Sequence, residues 1–335
     1  HIAAFKGRGA KVLELPLPEV CQKGTFIAPT LIEINSLSEL KQEVFGPVLH
    51  VIRYRREALD QLLDDINATG FGLTFGVHTR IDETIAHVVE KVQAGNIYVN
   101  RNVIGAVVGV QPFGGEGLSG TGPKAGGPLY LPRLLSRRPA QTLAGDQAAL
   151  APLLAYHDHL QSNKEDDAAA RCSRYLAGSG LGANIDLPGP TGERNRYLLH
   201  PRGPVLCIAA TELGAKAQFA AALASGNLAV FIANPAVKTM VDALPKALSG
   251  RVLLKPSIAE AGDVGAVLFE GDSDALGMIN RQVAEIAGPI LQVQGLSSTA
   301  LAEGEDYDLA RLLAERSISV NTAAAGGNAS LMSIS

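Results

Sequence analysis

The hydrophobic positions of the chain alternate between strand-like runs and helix-like spacing. Apolar side chains recur at helical spacing at 59–66 and at 81–92, and a glycine that can end a helix follows each stretch. β-rich runs precede, separate and follow these helices at 25–34, 48–54, 73–78 and 96–100. This order predicts an α/β fold with a largely parallel sheet.

The same alternation returns after Pro204 and predicts a second, Rossmann-like α/β region. Two short helices and a Pro/Gly-rich segment lie before it. We therefore expect three parts: residues 1–137, a linker with helices and a flap-like segment at 138–203, and a second domain at 204–335. In that domain we expect strands at 205–209, 228–234, 251–255, 265–271, 289–295 and 317–321, and helices at 212–225, 236–249, 273–288 and 308–316.

Composition narrows the class of protein. A length of 335 residues fits two domains, and 47% hydrophobic with 19% charged residues excludes a disordered chain or a coiled coil. No apolar run reaches the ~20 residues that span a bilayer. The net charge of −4, without a block of like charges, predicts no nucleic-acid contact from this chain. The chain begins with His1 rather than Met, so we expect a piece of a longer protein.

Three segments carry the candidate chemistry: QEVFGPV at 42–48, GNIYVN at 95–100 and QPFGGEGLSGTG at 111–122. In this order and spacing they resemble the C-terminal motifs of the aldehyde dehydrogenase superfamily. The stretch 105–130 resembles the glutamate-γ-semialdehyde dehydrogenase branch and, within it, the bifunctional bacterial proline utilization A family; the end of the chain, 317–335, resembles its long members. The resemblance implies the end of an aldehyde dehydrogenase catalytic domain, followed by a degenerate domain of the same type.

The first motif supplies the candidate cofactor residues. A carboxylate can accept hydrogen bonds from both vicinal hydroxyls of a ribose, and the resemblance gives this role toward NAD to Glu43. Phe45 would lie near the nicotinamide ring, where an aromatic wall excludes water. A solvated loop acid and an ordinary core aromatic are the alternatives, and the Gly-Pro that follows favours the cofactor role.

The Gly-rich segment supplies the candidate substrate residues. Successive backbone N–H groups can bind the α-carboxylate of an amino-acid aldehyde where little side chain obstructs them, and Gly105 and Ala106 have that profile. By resemblance they are the dipeptide that anchors glutamate semialdehyde, and Phe113 packs on the aliphatic part of this substrate. For the glycines at 114–122 we favour a role in tight turns.

The resemblance requires a nucleophilic cysteine about a hundred residues before Glu43, and only 42 residues precede it. Cys21 lacks the expected surroundings, Cys172 follows the Gly-rich motif and is interpreted as a helix residue, and Cys207 lies in an apolar strand. We therefore assign no catalytic residue. The cysteine spacings fit no disulfide framework or zinc site, so we expect no bound metal and a cytoplasmic setting.

The second half resembles a degenerate copy of this fold. Residues 203–236 resemble the superfamily's first nucleotide-binding unit without its Pro-Trp-Asn-Phe-Pro and Lys-Pro sequences, and 315–331 parallels 94–110. We therefore expect no NAD site here. In the long relatives such a domain covers the dehydrogenase domain and helps to close the tunnel that carries the intermediate.

Two hypotheses follow. In the first, the chain is the C-terminal part of a bifunctional enzyme whose upstream FAD domain oxidises proline and passes glutamate semialdehyde to an NAD-dependent dehydrogenase. The second is a noncatalytic structural or assembly module; a free-standing aldehyde dehydrogenase is disfavoured by the second half. The upstream domains are the expected partners. A pairing strand within 128–143 would support a homo-oligomer, and membrane association of the longer protein stays open.

Overall fold

The computed structural model describes residues 1–120, 122–135 and 143–323. The chain divides into two compact units, His1–Thr69 and Gly70–Ser335. The domain boundary expected near residue 138 falls among residues 136–142, outside the described part, and the division into three parts stays a prediction. Among the described residues, no helix is both long and apolar enough to cross a membrane.

The first unit is built on a three-stranded sheet. Its elements are the helix α1 (Ile2–Gly7), the strands β1 (Lys11–Glu14), β2 (Thr30–Ile34) and β3 (Val48–Ile52), and the helix α2 (Leu59–Ala68). β2 lies in the middle, antiparallel to β1 and parallel to β3. The core of the sheet contains Phe5, Ile32 and Ile34. The strands expected at 25–34 and 48–54 and the helix expected from residue 59 are thus confirmed, although β2 begins only at Thr30.

The second unit opens with short strands and three helices. They are β4 (Phe71–Gly72), β5 (Thr74–Val77), α3 (Asp82–Lys91), β6 (Asn96–Val99), β7 (Glu116–Gly117), α4 (Ala151–Ser162), α5 (Asp166–Gly178), β8 (Asn184–Leu187) and β9 (Glu193–Pro201). The predicted strand, helix and strand between residues 73 and 100 are confirmed by β5, α3 and β6. The expected flap-like segment contains the antiparallel hairpin of β8 and β9.

The pairing strand expected within 128–143 is not found in the described part of that stretch. Leu131–Leu134 form a short 3-10 helix instead. Pro132 lies at its first turn, where the missing N–H costs no helical hydrogen bond, whereas the same residue weakens a strand. Residues 136–142 of the expected strand lie outside the described residues.

A parallel sheet of five strands forms the Rossmann-like part of the second unit. Its elements are β10 (Val205–Ile208), α6 (Glu212–Ala224), β11 (Ala229–Ile232), α7 (Pro235–Asp242), β12 (Val252–Lys255), β13 (Ala266–Glu270), α8 (Ser273–Ala284), β14 (Gln292–Leu296) and α9 (Ser298–Ala302). The strand order is β12-β11-β10-β13-β14, and all pairs are parallel. This 3-2-1-4-5 order is that of a doubly wound Rossmann sheet and confirms the predicted fold class.

Three predicted helices of this region are wrong in extent or type. The helix expected at 273–288 ends at Ala284. The helix expected at 236–249 ends at Asp242, because Pro245 cannot continue it and a 3-10 turn follows. The helix expected at 308–316 is a 3-10 turn at Leu309–Leu312, after which the chain enters the strand β15 (Leu313–Asn321). The pairing of β15 with its neighbouring strands overrides the helical pattern of residues 308–316.

After the Rossmann-like sheet, the chain continues into β15, which completes a second five-stranded sheet. The order there is β5-β6-β15-β9-β8, so the last strand lies between β6 and β9. Ser317 to Val320 pair in parallel with Asn96 to Val99, and all nine residues of β15 pair antiparallel with β9. The strand expected at 317–321 is present, but it belongs to the sheet of the NIYVN motif.

The largest core of the second unit surrounds α6. Ten of the thirteen residues of this helix are buried, most of them alanines that allow close packing on every side. Phe219 of α6 meets the ring of Tyr156 from α4 edge to face, with 4.9 Å between the ring centroids. Helices α4 and α5 thereby pack on the Rossmann-like sheet through α6.

Two neighbouring leucines of α4 test this packing. Leu153 is fully buried, whereas Leu154 is half exposed. We expect Leu153→Ala to lower the free energy of unfolding by about 2–5 kcal/mol and Leu154→Ala by less than about 1 kcal/mol, because only the first leaves a cavity. Urea denaturation of both variants measures the difference; equal losses would contradict the packing.

Candidate functional site

The loop between β2 and β3 carries the two candidate cofactor residues. Glu43 is exposed, and the ring of Phe45 is 97% exposed. Just beyond them, the backbone carbonyl of Pro47 accepts a hydrogen bond of 2.9 Å from the N–H of Thr30, which ties the end of the loop to β2. The loop therefore exposes a carboxylate and an aromatic ring, with one residue between them, and a hydrogen bond to β2 fixes its end.

Gly105 and Ala106 lie in an exposed loop of the second unit. Gly105 has a φ of +83°, a conformation that favours glycine, and a side chain built there would meet nothing within 4 Å. In the described part of the chain, neither backbone N–H is paired with another backbone group. The role of Gly105 and Ala106 as the substrate anchor stays a prediction.

A fixed turn follows these two residues. The carbonyl of Val107 accepts hydrogen bonds from the N–H groups of Val110 (3.1 Å) and Gln111 (2.8 Å), and the N–H of Val107 donates to Oε1 of Gln111 (3.0 Å). Gln111 is only 3% exposed. The side chain of Gln111 therefore closes the turn from inside.

A polar cluster holds Gln111 in place. Its amide nitrogen donates to the carboxylate of Glu193 on β9, which also forms an ion pair with Arg101. Arg101 in turn donates to Oγ of Ser319 on β15 (2.9 Å). The base of the exposed loop is thus bound to two strands of the second half of the chain, and no sequence motif predicted this clamp.

Phe113, the third candidate substrate residue, is half-buried at the start of the Gly-rich loop. Its N–H donates to the carbonyl of Ala125 (3.0 Å), and the N–H of Ala125 donates back (2.8 Å). These two hydrogen bonds close the loop between them. The loop is therefore fixed at both of its ends.

The structure brings the GNIYVN motif against this Gly-rich loop. Oδ1 of Asn96 accepts a hydrogen bond from the N–H of Gly114 (3.1 Å), and its amide nitrogen donates to the carbonyl of Pro112 (2.9 Å). A Cβ on Gly95 would lie 2.1 Å from the carbonyl oxygen of Gly114, so only glycine fits there. Two of the three motifs thus form one site.

Lys124 is the buried cation of this site, 2% exposed. Its ammonium group donates to Oδ1 of Asn96 (3.1 Å) and to the carbonyl of Gly114, and its backbone N–H donates to Oε2 of Glu315 (2.9 Å). Burial lowers the pKa of Lys124 to about 8, although the charges of Glu315 and Glu116 act in the opposite direction.

The carboxylates near Lys124 have partners on the C-terminal strands. Tyr197 of β9 donates its hydroxyl to Oε1 of Glu315 (2.6 Å). Glu116 lies 3.2 Å from Nε2 of His200 and 3.5 Å from Nε of Arg316. Burial alone would raise the pKa of Glu116, but the hydrogen bond and charge of His200 and the charge of Arg316 outweigh it and lower the pKa.

The three cysteines are free thiols. Cys172 is buried in α5, as the helix interpretation predicted, and Cys207 is buried in β10. Burial raises the pKa of both thiols, to about 12 for Cys172. Cys21 lies half-buried in a 3-10 helix of the first unit. The described residues include no group of three His, Cys, Asp or Glu side chains that could hold a metal ion.

The lowered pKa of Lys124 gives a testable pH dependence. Between about pH 8 and 10.5 the folded state releases this proton while the unfolded state keeps it, so stability rises with pH. We expect the unfolding free energy of the wild type, relative to Lys124→Met, to increase from pH 7.5 to 9.5. Urea denaturation at each pH measures it, with the exposed Lys246→Met as control; a flat difference for Lys124→Met would refute the burial argument.

Comparisons with known proteins agree with these motifs. Residues 1–138 match the model of the aldehyde dehydrogenase family. The whole chain is 49% identical to bifunctional protein PutA of Rhizobium meliloti, of which it covers 27%. Over 111 residues, 32% of the chain, it is 43% identical to 1-pyrroline-5-carboxylate dehydrogenase of Bacillus subtilis, covering 21% of that protein.

A solved structure shows the same fold. Proline utilization A from Corynebacterium freiburgense matches 93% of this chain with a TM-score of 0.61 at 23% identity, and the match covers 29% of that protein. The chain thus spans about a quarter of the length of the curated bifunctional relatives. Residues 1–138 match the aldehyde dehydrogenase family model, and the chain as a whole is similar to about one quarter of the bifunctional PutA proteins.

Proposed function

We propose that this chain is the C-terminal part of a bifunctional proline-catabolising enzyme. Its aldehyde dehydrogenase segment would take part in the NAD-dependent oxidation of L-glutamate-γ-semialdehyde, the open form of pyrroline-5-carboxylate, to glutamate. The observation that carries this proposal is 49% identity to a bifunctional PutA protein along the entire chain. The similarity of 111 residues to 1-pyrroline-5-carboxylate dehydrogenase favours this substrate over other aldehydes.

The first unit offers the groups that NAD requires. The exposed carboxylate of Glu43 is free to accept hydrogen bonds from two ribose hydroxyls, and the uncovered ring of Phe45 is able to limit the positions of the nicotinamide. When bound, NAD supplies the acceptor for the hydride of the aldehyde. Glu43 and Phe45 would orient that cofactor.

The second unit offers an anchor for the substrate. The N–H groups at Gly105 and Ala106 would bind the α-carboxylate, and Phe113 would pack on the methylene groups between carboxylate and aldehyde. The turn closed by Gln111 keeps this backbone open, which lowers the entropy lost on binding.

We infer that the segment by itself is inactive. Oxidation of the aldehyde requires a thiolate nucleophile, and the raised pKa values of the buried Cys172 and Cys207 keep both thiols protonated at neutral pH. An upstream segment of the longer protein would supply the nucleophile. A further upstream domain with FAD would oxidise proline and pass the semialdehyde through a tunnel inside the protein.

The Rossmann-like part would act as a noncatalytic domain that covers this tunnel. The observation in favour is that β15 joins it to the sheet of the dehydrogenase segment. A purely structural or assembly role of the whole chain is the alternative; it requires that changes at Glu43 and Ala106 leave turnover unchanged. The expected setting is cytoplasmic. A measurement of the mass in solution tests whether two copies pair.

Glu43→Ala in the longer protein tests the cofactor role. Loss of hydrogen bonds to a charged group costs about 1.5–3 kcal/mol, so KM for NAD should rise roughly ten- to hundredfold, with proline oxidation unchanged. Steady-state kinetics of both activities measure this. The exposed Glu57→Ala on the same unit is the matched control, and unchanged NAD kinetics in Glu43→Ala would remove the cofactor assignment.

Ala106→Asp tests the substrate anchor. A carboxylate beside the proposed α-carboxylate site repels the substrate, so KM for the semialdehyde should rise at least roughly tenfold while KM for NAD stays constant. The exposed Ala144→Asp changes the charge equally, away from the loop. Equal effects of Ala106→Asp on substrate and NAD would count against the anchor.

A further inference from the structure

The carboxyl ends of β10 and β13 lie side by side where the order of the Rossmann-like sheet reverses. In such sheets ligands bind in the crevice at this point, and the phosphate of a dinucleotide lies at the N-terminus of the helix that follows the first strand. Here that helix is α6. Its cap is Thr211, whose hydroxyl accepts a hydrogen bond from the N–H of Gly214 (3.0 Å).

A side chain of the protein already occupies this position. Glu270, the last residue of β13, is 2% exposed, and its carboxylate points at the start of α6. Oε2 accepts hydrogen bonds from the backbone N–H groups of Ala210 (2.7 Å) and Thr211 (2.8 Å). Oε1 accepts from the hydroxyls of Thr211 (2.7 Å) and Ser298 (2.7 Å). Four donors, two of them backbone amides before a helix, thus surround one carboxylate.

The helix fits closely around this carboxylate. A Cβ built on Gly214 would lie 1.8 Å from Oε2 of Glu270, and the three nearest atoms around it all belong to Glu270. The first turn of α6 therefore has room for the carboxylate only because residue 214 has no side chain. A second anion has no space at the same donors.

We propose that Glu270 is a resident anion that fills the phosphate position of this Rossmann-like sheet. The positive end of α6 favours a negative group at this place, and a tethered carboxylate binds without the loss of translational freedom that a free ligand pays. The sheet thereby satisfies its own anion site and needs no nucleotide to complete its fold. This holds whether or not the Rossmann-like part covers a tunnel.

Chemical rescue of the 335-residue chain tests the proposal. Glu270→Ala removes the atoms of an acetate ion, so the variant should melt several degrees below the wild type, and sodium acetate should restore part of the loss, beyond the effect of sodium chloride at equal ionic strength. Glu270→Gln should also melt lower, without rescue, because its amide fills the space. The exposed Glu285→Gln, with the same change of charge, should melt like the wild type.

Several results would overturn the proposal. They are a Glu270→Gln variant as stable as the wild type, a Glu270→Ala variant on which acetate and chloride act equally, and equal effects of acetate on Glu270→Ala and Glu285→Gln. These outcomes would show that the negative charge at this place does not matter.

A second substitution keeps the test decisive if Glu270→Ala is strongly destabilised. Gly214→Ala in the wild type places a methyl group against Oε2 and should lower Tm, whereas alanine is the better residue inside a helix. In the Glu270→Ala background the same substitution should cost nothing or raise Tm. An equal loss of Tm in both backgrounds would show that Glu270 does not fill the first turn of α6, and the proposal would fail.

Discussion

The insertion of β15 between β6 and β9 is the constraint on which most of the second unit depends. Nine consecutive residues of β15 pair with β9, and four pair with β6. Each buried strand must pair its backbone groups on both sides, so removal of β15 would leave β6 and β9 with unpaired N–H and C=O groups. Strands from residues 74–99 and strands from residues 184–321 therefore share the sheet β5-β6-β15-β9-β8.

The side chains of β15 extend this constraint to the candidate substrate loop. Glu315 binds the backbone of Lys124, and Ser319 accepts a hydrogen bond from Arg101 at the base of the turn that follows Ala106. The ammonium group of Lys124 is buried together with acceptors from both motifs, since it donates hydrogen bonds to Oδ1 of Asn96 and to the carbonyl of Gly114. A loop rich in glycine is thus held by buried charges and amides instead of by a hydrophobic core.

Two groups of backbone N–H donors in the second unit differ in whether a partner occupies them. The backbone at Gly105 and Ala106 is open, with space around it, whereas the donors at the start of α6 are saturated by Glu270. The difference lies in where a carboxylate can reach: β13 ends beside α6, so its last side chain enters the anion position directly. The candidate substrate loop therefore keeps exposed backbone donors, whereas a side chain of the protein occupies the donors at the start of α6.

The local sequence predicts most of the helices and strands, because the periods of 2 and 3.6 residues are local properties. It does not predict β8, β9 or the start of β15. It placed β5, α3, β6 and nearly all elements of the Rossmann-like sheet, and it identified the Gly95 and Gly114 motifs without their contact. Pairing partners, however, lie far apart in the chain: Arg101 and Ser319 meet across 218 positions.

The predicted strand at 317–321 begins already at Leu313, and only long-range contacts place it in the sheet of the NIYVN motif. Such contacts also let Lys124 and Glu315 hold the Gly-rich loop and Glu270 fill the start of α6. A buried charge is indistinguishable in sequence from a solvated one, since its partners come from distant strands. For Glu43 and Ala106, by contrast, a sequence motif predicts the role. Both residues are exposed, so the proposed partner of each is a bound ligand and not a distant side chain.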